Sequence, residues 1–341
     1  MSEMNSPAFS LPSGFESKLD SVLQQRWSLS LASSREIANA VQRMSDFYVE
    51  QPLASTPWAE RWCQIAQIAY YRPLNFLRAQ RVMREAQRLG FFRGIDEVVD
   101  FGAGLGPVQE ALLSLEGIPR FSMKIVERSL EAQKISRELG LEFQTQTLPT
   151  PTSSQSLLTC SYSLTELENP PAWLFKFDNL ILIEPATRQD GRLLLELRKR
   201  LIGEGYHMWA PCTHQEGCPL LEKNPHDWCH DRLHFARPDW MLAVEKYLPF
   251  ENPTLTMSYL VTSRRPRPAA NQTIRTVGDL MREKGKARQM ICRRNEREFF
   301  AWMSRNGEPQ EIPRGILCEM PSRHELKSNE IRVQSEVPWQ H

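Results

Sequence analysis

The chain has 341 residues, of which 41% are hydrophobic and 24% charged, so it can bury a sizeable core and is not a mostly disordered protein. The 42 Lys and Arg residues nearly balance the 41 Asp and Glu residues, which gives a formal net charge of +1. This balance excludes a protein that coats nucleic acid by bulk charge alone. It leaves a local basic face open.

The sequence predicts a cytoplasmic protein with no membrane segment. It contains no run of 18 or more apolar residues. The first residues, 1–6, resemble neither a secretory signal peptide nor an Arg-rich transit peptide. Because the cytoplasm keeps thiols reduced, clustered cysteines among the seven indicate metal binding or catalysis before disulfides.

Residues 1–92 form the first predicted domain, an N-terminal helical region. After a lead-in that contains Ser, Pro and Gly, apolar residues recur at three-and-four spacing from about residue 14. Two such segments contain Leu19, Val22, Leu23 and Trp27, then Ile37, Val41, Met44 and Phe47. We expect these helices to pack on the domain that follows.

Residues 93–262 form the second predicted domain, in which strands and helices alternate. Strands are predicted at 97–101, 122–127, 141–146, 157–161, 179–183, 206–210 and 254–262. Helices are predicted through Val108, Ala111, Leu112 and Leu115, at 129–139, near 190–203 and at 239–248. Short connections between alternating elements predict an α/β fold with a doubly wound, mainly parallel sheet. A cysteine-rich insertion lies at about 210–235, and a basic C-terminal region covers 263–341.

A glycine-rich turn follows the first predicted strand, in the sequence Asp-Phe-Gly-Ala-Gly-Leu-Gly from 100 to 106. Glycines let the backbone turn tightly and approach a ligand. The dinucleotide fingerprint would place its third glycine at Pro107, whereas an acid ends the next strand at the distance where it can meet ribose hydroxyls. Together these features resemble class I S-adenosylmethionine-dependent methyltransferases; the alternative is a turn that only closes a strand–helix unit. The predicted cofactor-binding residues are Asp100, Gly102, Gly104, Gly106, Glu127 and Ser161.

The segment Cys160–Leu167 follows the fourth strand and is expected to face the methyl donor. No acid follows the weak third strand, so Gln144, Gln146 or a backbone group would have to contact adenine. The sequence Asn-Pro-Pro-Ala at 169–172 has Ala where amino-methylating enzymes have a stacking aromatic, and we interpret it as a loop. No general base emerges, and the catalytic residues are unassigned.

Three of the seven cysteines, Cys212, Cys218 and Cys229, fall within 18 residues, and three histidines lie beside them. Thiols gather in this way for a soft metal. Zinc knuckles pair cysteines two to four residues apart, whereas the gaps here are five and ten residues. Three nearby cysteines plus a distant one are more typical of iron–sulfur ligation, with zinc and unliganded thiols as alternatives. Spacing alone does not choose the fourth ligand.

The other four cysteines differ in their surroundings. Cys63 lies on an apolar helical face and Cys160 in a buried strand, so both are predicted to be core thiols. Cys292 lies inside the basic segment, and Cys318 ends an apolar pair.

A series of motifs from about residue 11 to residue 300 resembles the Rsm twenty-two family of methyltransferase-like proteins, which are associated with the small ribosomal subunit in bacteria and mitochondria. The motifs begin with Leu11-Pro12, Ala69-Tyr70-Tyr71-Arg72-Pro73 and the glycine turn, continue with Ser161-Tyr162-Ser163-Leu164-Thr165-Glu166 and Ile183-Glu184-Pro185, and end with Pro-Cys-x-His-x-x-x-Cys-Pro at 211–219 and Asp-Trp-Cys-His at 227–230.

This resemblance implies a class I methyltransferase (Rossmann-like) sheet with an N-terminal helical region and a metal-binding cysteine insertion. It also implies a 4Fe-4S cluster on four cysteines, matched by Cys212, Cys218, Cys229 and, as the distant ligand, Cys292. The implied role is action on, or binding to, small-subunit ribosomal RNA during ribosome assembly.

The segment 263–305 holds twelve Lys or Arg residues against four Asp or Glu residues, which is a local basic excess. Such a cluster can bind phosphates, although a charge run can also be a solvated face. We expect a bound metal to fold this basic arm onto the sheet domain and create an RNA-binding face. The predicted RNA-binding residues are Arg264, Arg265, Arg267, Lys284, Lys286, Arg288, Arg293 and Arg294.

The sequence thus predicts an S-adenosylmethionine-dependent methyltransferase-like protein that acts on small-subunit ribosomal RNA or the assembling subunit and is otherwise monomeric. One alternative is an inactive iron–sulfur assembly factor that binds RNA. A further alternative is a zinc-stabilised methyltransferase of another substrate.

Overall fold

The computed structural model describes residues 9–51, 54–167, 169–268 and 274–339. The chain divides into two compact units, one comprising Met1–Phe177 and Leu233–Leu255, the other Asp178–Arg232 and Thr256–His341. The start of the predicted lead-in, residues 1–8, lies outside the described residues. Among the described residues, no helix combines the length and apolar character needed to cross a membrane.

The first unit begins with helices, as the apolar spacing predicts. They are α1 (Phe15–Trp27), α2 (Ser34–Glu50), α3 (Arg61–Ala66) and α4 (Arg72–Arg88), with a π-helical turn at Gln67–Tyr71 between α3 and α4. The predicted apolar positions are buried, among them Leu19 and Val22 in α1 and Ile37 and Val41 in α2. Burial of one face on each helix is what stabilises such short helices in water.

Four parallel strands follow in the same unit. They are β1 (Glu97–Phe101), β2 (Ser122–Val126), β3 (Gln144–Thr145) and β4 (Ser156–Ser161), with α5 (Pro107–Leu113) and α6 (Leu130–Glu138) between them. Their spatial order is β3-β2-β1-β4, and Phe101 is in register with Val126 and Cys160. The carboxyl ends of β1, β2 and β4 therefore meet at one edge of the sheet, where ligands bind in open α/β sheets.

The predicted third strand is much shorter than expected. Its first residue, Leu141, is buried outside the strand and packs near Gly106, while only Gln144 and Thr145 pair with β2. The remaining predicted strands of the first unit are confirmed to within about two residues, as boundary uncertainty allows.

The first sheet strands of the second unit pair in antiparallel fashion. Its elements up to residue 263 are β5 (Asn179–Glu184), α7 (Arg188–Gly203), β6 (His207–Ala210), α8 (Pro219–Glu222) and β7 (Asp231–His234), and then, after α9 (Asp239–Glu245) of the first unit, β8 (Thr254–Ser263). Strand β8 lies between β5 and β6 and is antiparallel to both. The α/β prediction is confirmed, but β5, β8 and β6 of this unit pair antiparallel and not in the predicted, mainly parallel arrangement.

The C-terminal region forms a second sheet that the sequence analysis does not predict. Its strands are β9 (Ile274–Glu283), β10 (Lys286–Cys292), β11 (Glu298–Met303), β12 (Leu317–Cys318), β13 (His324–Lys327) and β14 (Glu330–Val333), in the order β12-β9-β10-β11-β14-β13. Phe300, Ile331 and Val337 form part of its core. The basic segment is therefore part of a folded sheet.

Candidate functional site

The glycine turn after β1 can be made only with glycine at its key positions. Gly102, Gly104 and Gly106 have φ angles of 67°, 52° and 67°. These lie in the left-handed region, which costs an L-residue about 1–2 kcal/mol. A Cβ on Gly102 would lie 2.5 Å from the Cβ of Ser163, and one on Gly106 would overlap Leu141. The turn thus leaves its backbone bare where β1 ends.

The two predicted acids lie at this turn, and both have protein partners. The Glu127 carboxylate accepts hydrogen bonds from the backbone N–H groups of Gly104, at 2.9 Å, and Ser129, at 2.8 Å. Asp100 is only 1% exposed, and its Oδ1 accepts a hydrogen bond from Thr159 at 2.6 Å, while Oδ2 has no hydrogen-bond partner in the described part of the chain. Burial raises the pKa of Asp100 to about 7; the Thr159 hydrogen bond opposes this shift and the charge of Glu127 adds to it.

The segment after β4 contributes Ser161 and a strained neighbour to the same edge. Ser161 is half-buried at the end of the strand. Tyr162 has a φ of 58°, which is uncommon for a residue other than glycine, and Arg78 lies 5.8 Å from its ring centroid. Such local strain is concentrated at functional sites, and only the position after a strand indicates Tyr162 in the sequence.

Arg72 connects the N-terminal helices to the glycine turn. It is fully buried, its Nε donates to the carbonyl of Leu105 at 3.0 Å, and its Nη2 pairs with Glu110. Its Nη1 is buried without a hydrogen-bond partner among the described residues. In the sequence, this arginine is distinguished only as part of the motif at 69–73. The structure shows that it holds the backbone inside the turn.

The two glutamines considered for adenine binding differ in their surroundings. Gln144 is exposed, whereas the Oε1 of Gln146 is buried and accepts no hydrogen bond from any residue that the structure describes. The backbone N–H of Gln146 donates to the carbonyl of Ile125 at 2.8 Å, which fixes the residue beside β2. An indole, that of Trp58, also lies close to the turn, 3.6 Å from where a Cβ on Gly104 would be.

The four cysteines predicted as metal ligands line one small cavity of about 20 Å³ in the second unit. Cys212 follows β6, Cys218 precedes α8, Cys229 precedes β7 and Cys292 ends β10. Apolar side chains, His214, Arg198 and Arg275 complete the lining, whereas His226 is exposed. The other cysteines, Cys63, Cys160 and Cys318, are buried elsewhere in the described chain.

The same cavity disfavours charge in the absence of a metal. Burial and the neighbouring thiols raise the pKa of Cys229 well above its ordinary value, and burial is the main cause that raises the pKa of Cys292 to about 12. Burial, and next the charge of Arg198, lower the pKa of His214 to about 4. A bound metal would reverse this preference for the thiols, because it deprotonates a coordinating thiol outright.

Two arginines of α7 order the cysteine-bearing loops. Arg198 donates from Nε to the Sγ of Cys212 at 3.0 Å and from Nη2 to the carbonyls of His214 and Glu216. Arg192 is the counterpart near the start of the helix, and its guanidinium contacts only backbone oxygens. These are the carbonyls of Leu220, Leu221, Asn224 and Asp227, at 2.9–3.2 Å. Neither arginine is indicated by the sequence pattern.

The donor geometry separates two kinds of metal group. In the part of the chain that the structure describes, no three His, Cys, Asp or Glu side chains converge closely enough to hold a single metal ion. Zinc requires sulfur at about 2.3 Å from one centre. An iron–sulfur cluster tolerates thiols that stand further apart, because each binds a different iron atom. The structure therefore shows four thiols on one cavity and, among the described residues, no group of three ligands for a single ion.

Three of the predicted RNA-binding arginines lie just after β8, and each contacts an aromatic ring or a backbone carbonyl. Arg264 lies over the ring of Tyr206 at 4.4 Å and 3.3 Å from Asp178. Arg265 lies over Trp209, and Arg267 donates to the carbonyl of Cys212 at 3.0 Å. Arg267 therefore contacts the backbone of a predicted metal ligand.

Four of the other five predicted RNA-binding residues form ion pairs within the C-terminal sheet. The pairs are Lys286 with Glu330, Arg288 with Glu283, and Arg293 and Arg294 with Glu298. Lys284 differs, since it is exposed at the β9–β10 hairpin and makes no ion pair with any described residue. Much of the local basic excess is thus neutralised by nearby glutamates.

These features define an α/β protein with a glycine turn suited to a nucleoside-type cofactor and a separate four-thiol pocket. Residues 80–301 match the family model described as mitochondrial small ribosomal subunit Rsm22, and this match spans more than half of the chain. The chain belongs to the Rsm22 family, which confirms the resemblance found in the motif series. No curated protein matches the sequence.

Several solved structures are distantly similar. A candidate RNA methyltransferase from Pyrococcus horikoshii shares 16% identity over 54% of this chain and 83% of that chain, with a TM-score of 0.34. The plantazolicin methyltransferase BpumL, solved with SAH, shares 12% identity over 68% and 97% of the two chains, with a TM-score of 0.33. A SAM-dependent methyltransferase from Aquifex aeolicus shares 17% identity over 36% and 80%, with a TM-score of 0.27. These scores are low, and family membership rests on the sequence match.

Proposed function

We propose that the protein is an S-adenosylmethionine-dependent methyltransferase that acts on small-subunit ribosomal RNA or on the assembling small subunit. The observation that carries this proposal is the glycine turn at the carboxyl end of β1. Three left-handed glycines leave its backbone open, and Glu127 lies against it. Membership of a family named for the small ribosomal subunit supports the choice of substrate.

The cofactor site that we propose uses the residues around this turn. The bare backbone at Gly102, Gly104 and Gly106 would admit the cofactor closely, and Glu127 would meet the ribose hydroxyls. The unpartnered Oε1 of Gln146 is suited to accept a hydrogen bond from an adenine amino group. Bound S-adenosylmethionine supplies the methyl group, and Ser161 and Tyr162 are the side chains that we place beside the acceptor.

We further propose that Cys212, Cys218, Cys229 and Cys292 hold a 4Fe-4S cluster. The support is a set of four thiols on one cavity, which is otherwise lined by apolar side chains, His214, Arg198 and Arg275. The role of such a group here would be structural, because it would tie the loops around α8 to the end of β10. Zinc is the alternative metal, and it would require the thiols to close in on one centre.

We propose that the predicted basic residues between 264 and 294 contact RNA. We expect those without an ion pair to contribute more to RNA binding than those paired with a carboxylate. Lys284 carries an unneutralised charge, whereas Arg293 and Arg294 share Glu298. We retain the cytoplasm and a monomer apart from the ribosome as predictions, although the family description names the mitochondrial subunit.

A second candidate function is that of an assembly factor that binds the subunit without methyl transfer. A specific observation favours it: both oxygens of the Glu127 carboxylate already accept backbone hydrogen bonds, so the ribose-binding acid is engaged in the protein itself. The sequence Asn-Pro-Pro-Ala at 169–172 also lacks an aromatic for stacking a base. A zinc-stabilised methyltransferase of another substrate is the third possibility, and it requires zinc in the isolated protein.

Calorimetry with S-adenosylmethionine, followed by transfer of a labelled methyl group to small-subunit particles, separates these functions. The enzyme binds the cofactor and labels the RNA of particles taken at one or more assembly stages. Binding of the particles without any labelling at any stage supports the assembly factor and overturns the enzyme. Labelling of a small molecule together with zinc in the protein supports the third function.

A further inference from the structure

Arg198 is a buried cation in a place where the described protein offers no carboxylate to balance it. Its side chain is 1% exposed, in the middle of α7. All its hydrogen bonds go to the Sγ of Cys212 and to two backbone carbonyls, and it makes no ion pair with a described Asp or Glu. The other fully buried arginines, Arg72 and Arg275, both pair with a carboxylate, Glu110 and Asp231 respectively.

A buried guanidinium without a counter-charge is strongly unfavourable, because the charge loses its hydration. The two backbone carbonyl groups offer dipoles but no net negative charge. Among the described residues that line the pocket with Arg198, the groups that can become negative are the four cysteines. A metal held by four thiolates is an anionic group, and it would supply the missing charge at the position where Nε meets Cys212.

We infer that Arg198 is the counter-cation of the metal–thiolate group, retaining that group in the pocket and setting its charge balance. The inference rests on the metal centre proposed above. Hydrogen bonds to ligand sulfur and the net charge around a cluster are two of the factors that set its reduction potential. A nearby positive charge favours the more negative, reduced state. Arg198 is therefore a positioning residue for the metal and contacts no methyl-transfer substrate in this scheme.

Arg192 provides a matched control on the same helix. It also orders the cysteine-bearing segment, through four backbone carbonyls, but it makes no hydrogen bond to sulfur. If an arginine at this helix matters only because it holds the loop, replacement of either residue should have the same effect on metal retention. If the counter-charge matters, Arg198 should matter far more than Arg192.

The test uses the full chain purified without oxygen, as wild type and as Arg198→Gln, Arg198→Lys and Arg192→Gln. Metal content and acid-labile sulfide are measured first, and the rate of metal loss to a chelator is measured next. We expect Arg198→Gln to lose metal about tenfold faster than wild type, within the 10–100-fold range of residues that support metal ligands. Arg198→Lys, which keeps the charge, should lose metal at a rate closer to that of wild type.

For an iron–sulfur group, a titration with dithionite as electron donor gives a second measurement. The cluster accepts one electron from dithionite, which makes its net charge more negative by one. No bond to the protein forms or breaks. We expect Arg198→Gln to lower the equilibrium constant for this reduction about tenfold, which is about 59 mV for one electron. Arg192→Gln should leave the potential unchanged.

Equal rates of metal loss in Arg198→Gln and Arg192→Gln would overturn the inference, as would a lysine variant that behaves like the glutamine variant. Should Arg198→Gln fail to fold, the comparison of Arg198→Met with Arg192→Met, both of which remove the charge and keep an unbranched side chain, decides by the same rates. Isolation of a metal-free wild-type protein overturns the metal centre and the inference together. A metal-loaded protein that transfers no methyl group overturns only the enzyme assignment, because metal retention is measured without S-adenosylmethionine.

Discussion

The glycine turn and the four-cysteine pocket are built in opposite ways. The turn depends on atoms that are missing: three glycines leave room beside Ser163 and Leu141, and one buried arginine holds the backbone. The pocket depends instead on four thiols that loops and a strand end bring to one cavity. Arg198 also lines this cavity and donates a hydrogen bond to the Sγ of Cys212. We therefore expect cofactor binding at the turn to be lost when a glycine gains a side-chain atom. We expect metal binding in the pocket to be lost when a cysteine loses its sulfur.

Loss of one sulfur should have the largest effect. We expect Cys212→Ser to reduce the metal content at least about tenfold, because a hydroxyl is a poor ligand for a soft metal. Iron, zinc and sulfide analysis of protein purified without oxygen measures this. Cys318→Ser is the matched control, since Cys318 is buried in the core of the C-terminal sheet and not in the pocket. Equal metal loss in both variants would contradict the assignment of the pocket.

Addition of one methyl group to the turn should have the next largest effect. Gly102→Ala combines left-handed backbone strain of about 1–2 kcal/mol with overpacking against Ser163 of about 1–3 kcal/mol. We expect S-adenosylmethionine affinity to fall about 30-fold or more by calorimetry. Gly94→Ala has the same left-handed strain, at φ 79°, but open space around its Cβ. It should lose stability without losing cofactor affinity, and an equal loss of affinity would count against the turn.

Replacement of the arginine behind the turn should be milder. Arg72→Lys keeps the charge beside Glu110 but loses the fork that also reaches the Leu105 carbonyl. An unsatisfied buried carbonyl costs about 1–3 kcal/mol, so we expect a lower unfolding midpoint and about tenfold weaker cofactor binding. Arg43→Gln, at an exposed helix position, should change neither quantity. Unchanged cofactor binding in Arg72→Lys would show that the helices do not support the turn.

The buried acid at the turn should make stability depend on pH. Burial raises the pKa of Asp100 to about 7 from an ordinary value of 3.8. Between these values the folded state binds the proton more tightly than the unfolded state, so the contribution to stability falls as pH rises from about 4 to about 7. Asp100→Asn should remove this decline. Thermal unfolding midpoints of the wild type and of Asp100→Asn at pH 5 and pH 8 measure this decline in stability. An equal change of midpoint with pH in both proteins would contradict the raised pKa of Asp100.

The smallest effect concerns the basic residues. Lys284→Gln should lower the salt dependence of RNA binding by about one phosphate contact, because its charge is not shared with a carboxylate. Arg293→Gln should change the slope less, since Glu298 already compensates Arg293 at 2.6 Å. Binding titrations at several salt concentrations give both slopes. A larger change for Arg293 would show that RNA displaces the glutamate.

Much of the first unit could be predicted because its signals are local. Helical spacing in α1 and α2, and a short apolar strand that ends in glycines, each depend on neighbouring residues. The C-terminal sheet was missed although β10 shows a clear alternation, with Ala287, Gln289 and Ile291 buried. The many basic residues in that segment indicated a charged arm. The acids that neutralise part of them, such as Glu330, come later in the chain.

The candidate sites were predictable to different extents for the same reason. The sequence indicates that cysteines cluster, and the family resemblance selects Cys292, but neither indicates Arg198 or Arg192. Those arginines belong to a helix whose pattern is that of any surface-facing α/β helix, and their role depends on loops that fold back upon it. The role of Arg72 could not be predicted for the same reason, because its hydrogen-bond partners lie 33 and 38 residues further along the chain.

The most direct test of the central claim is the transfer of a labelled methyl group from S-adenosylmethionine to the RNA of small-subunit particles, with Gly102→Ala as the matched variant. The proposed function predicts that the wild-type protein labels this RNA and that Gly102→Ala labels it at least about 30-fold more slowly at low cofactor concentration. A wild-type protein that binds the particles yet labels nothing, at any assembly stage, would contradict the claim.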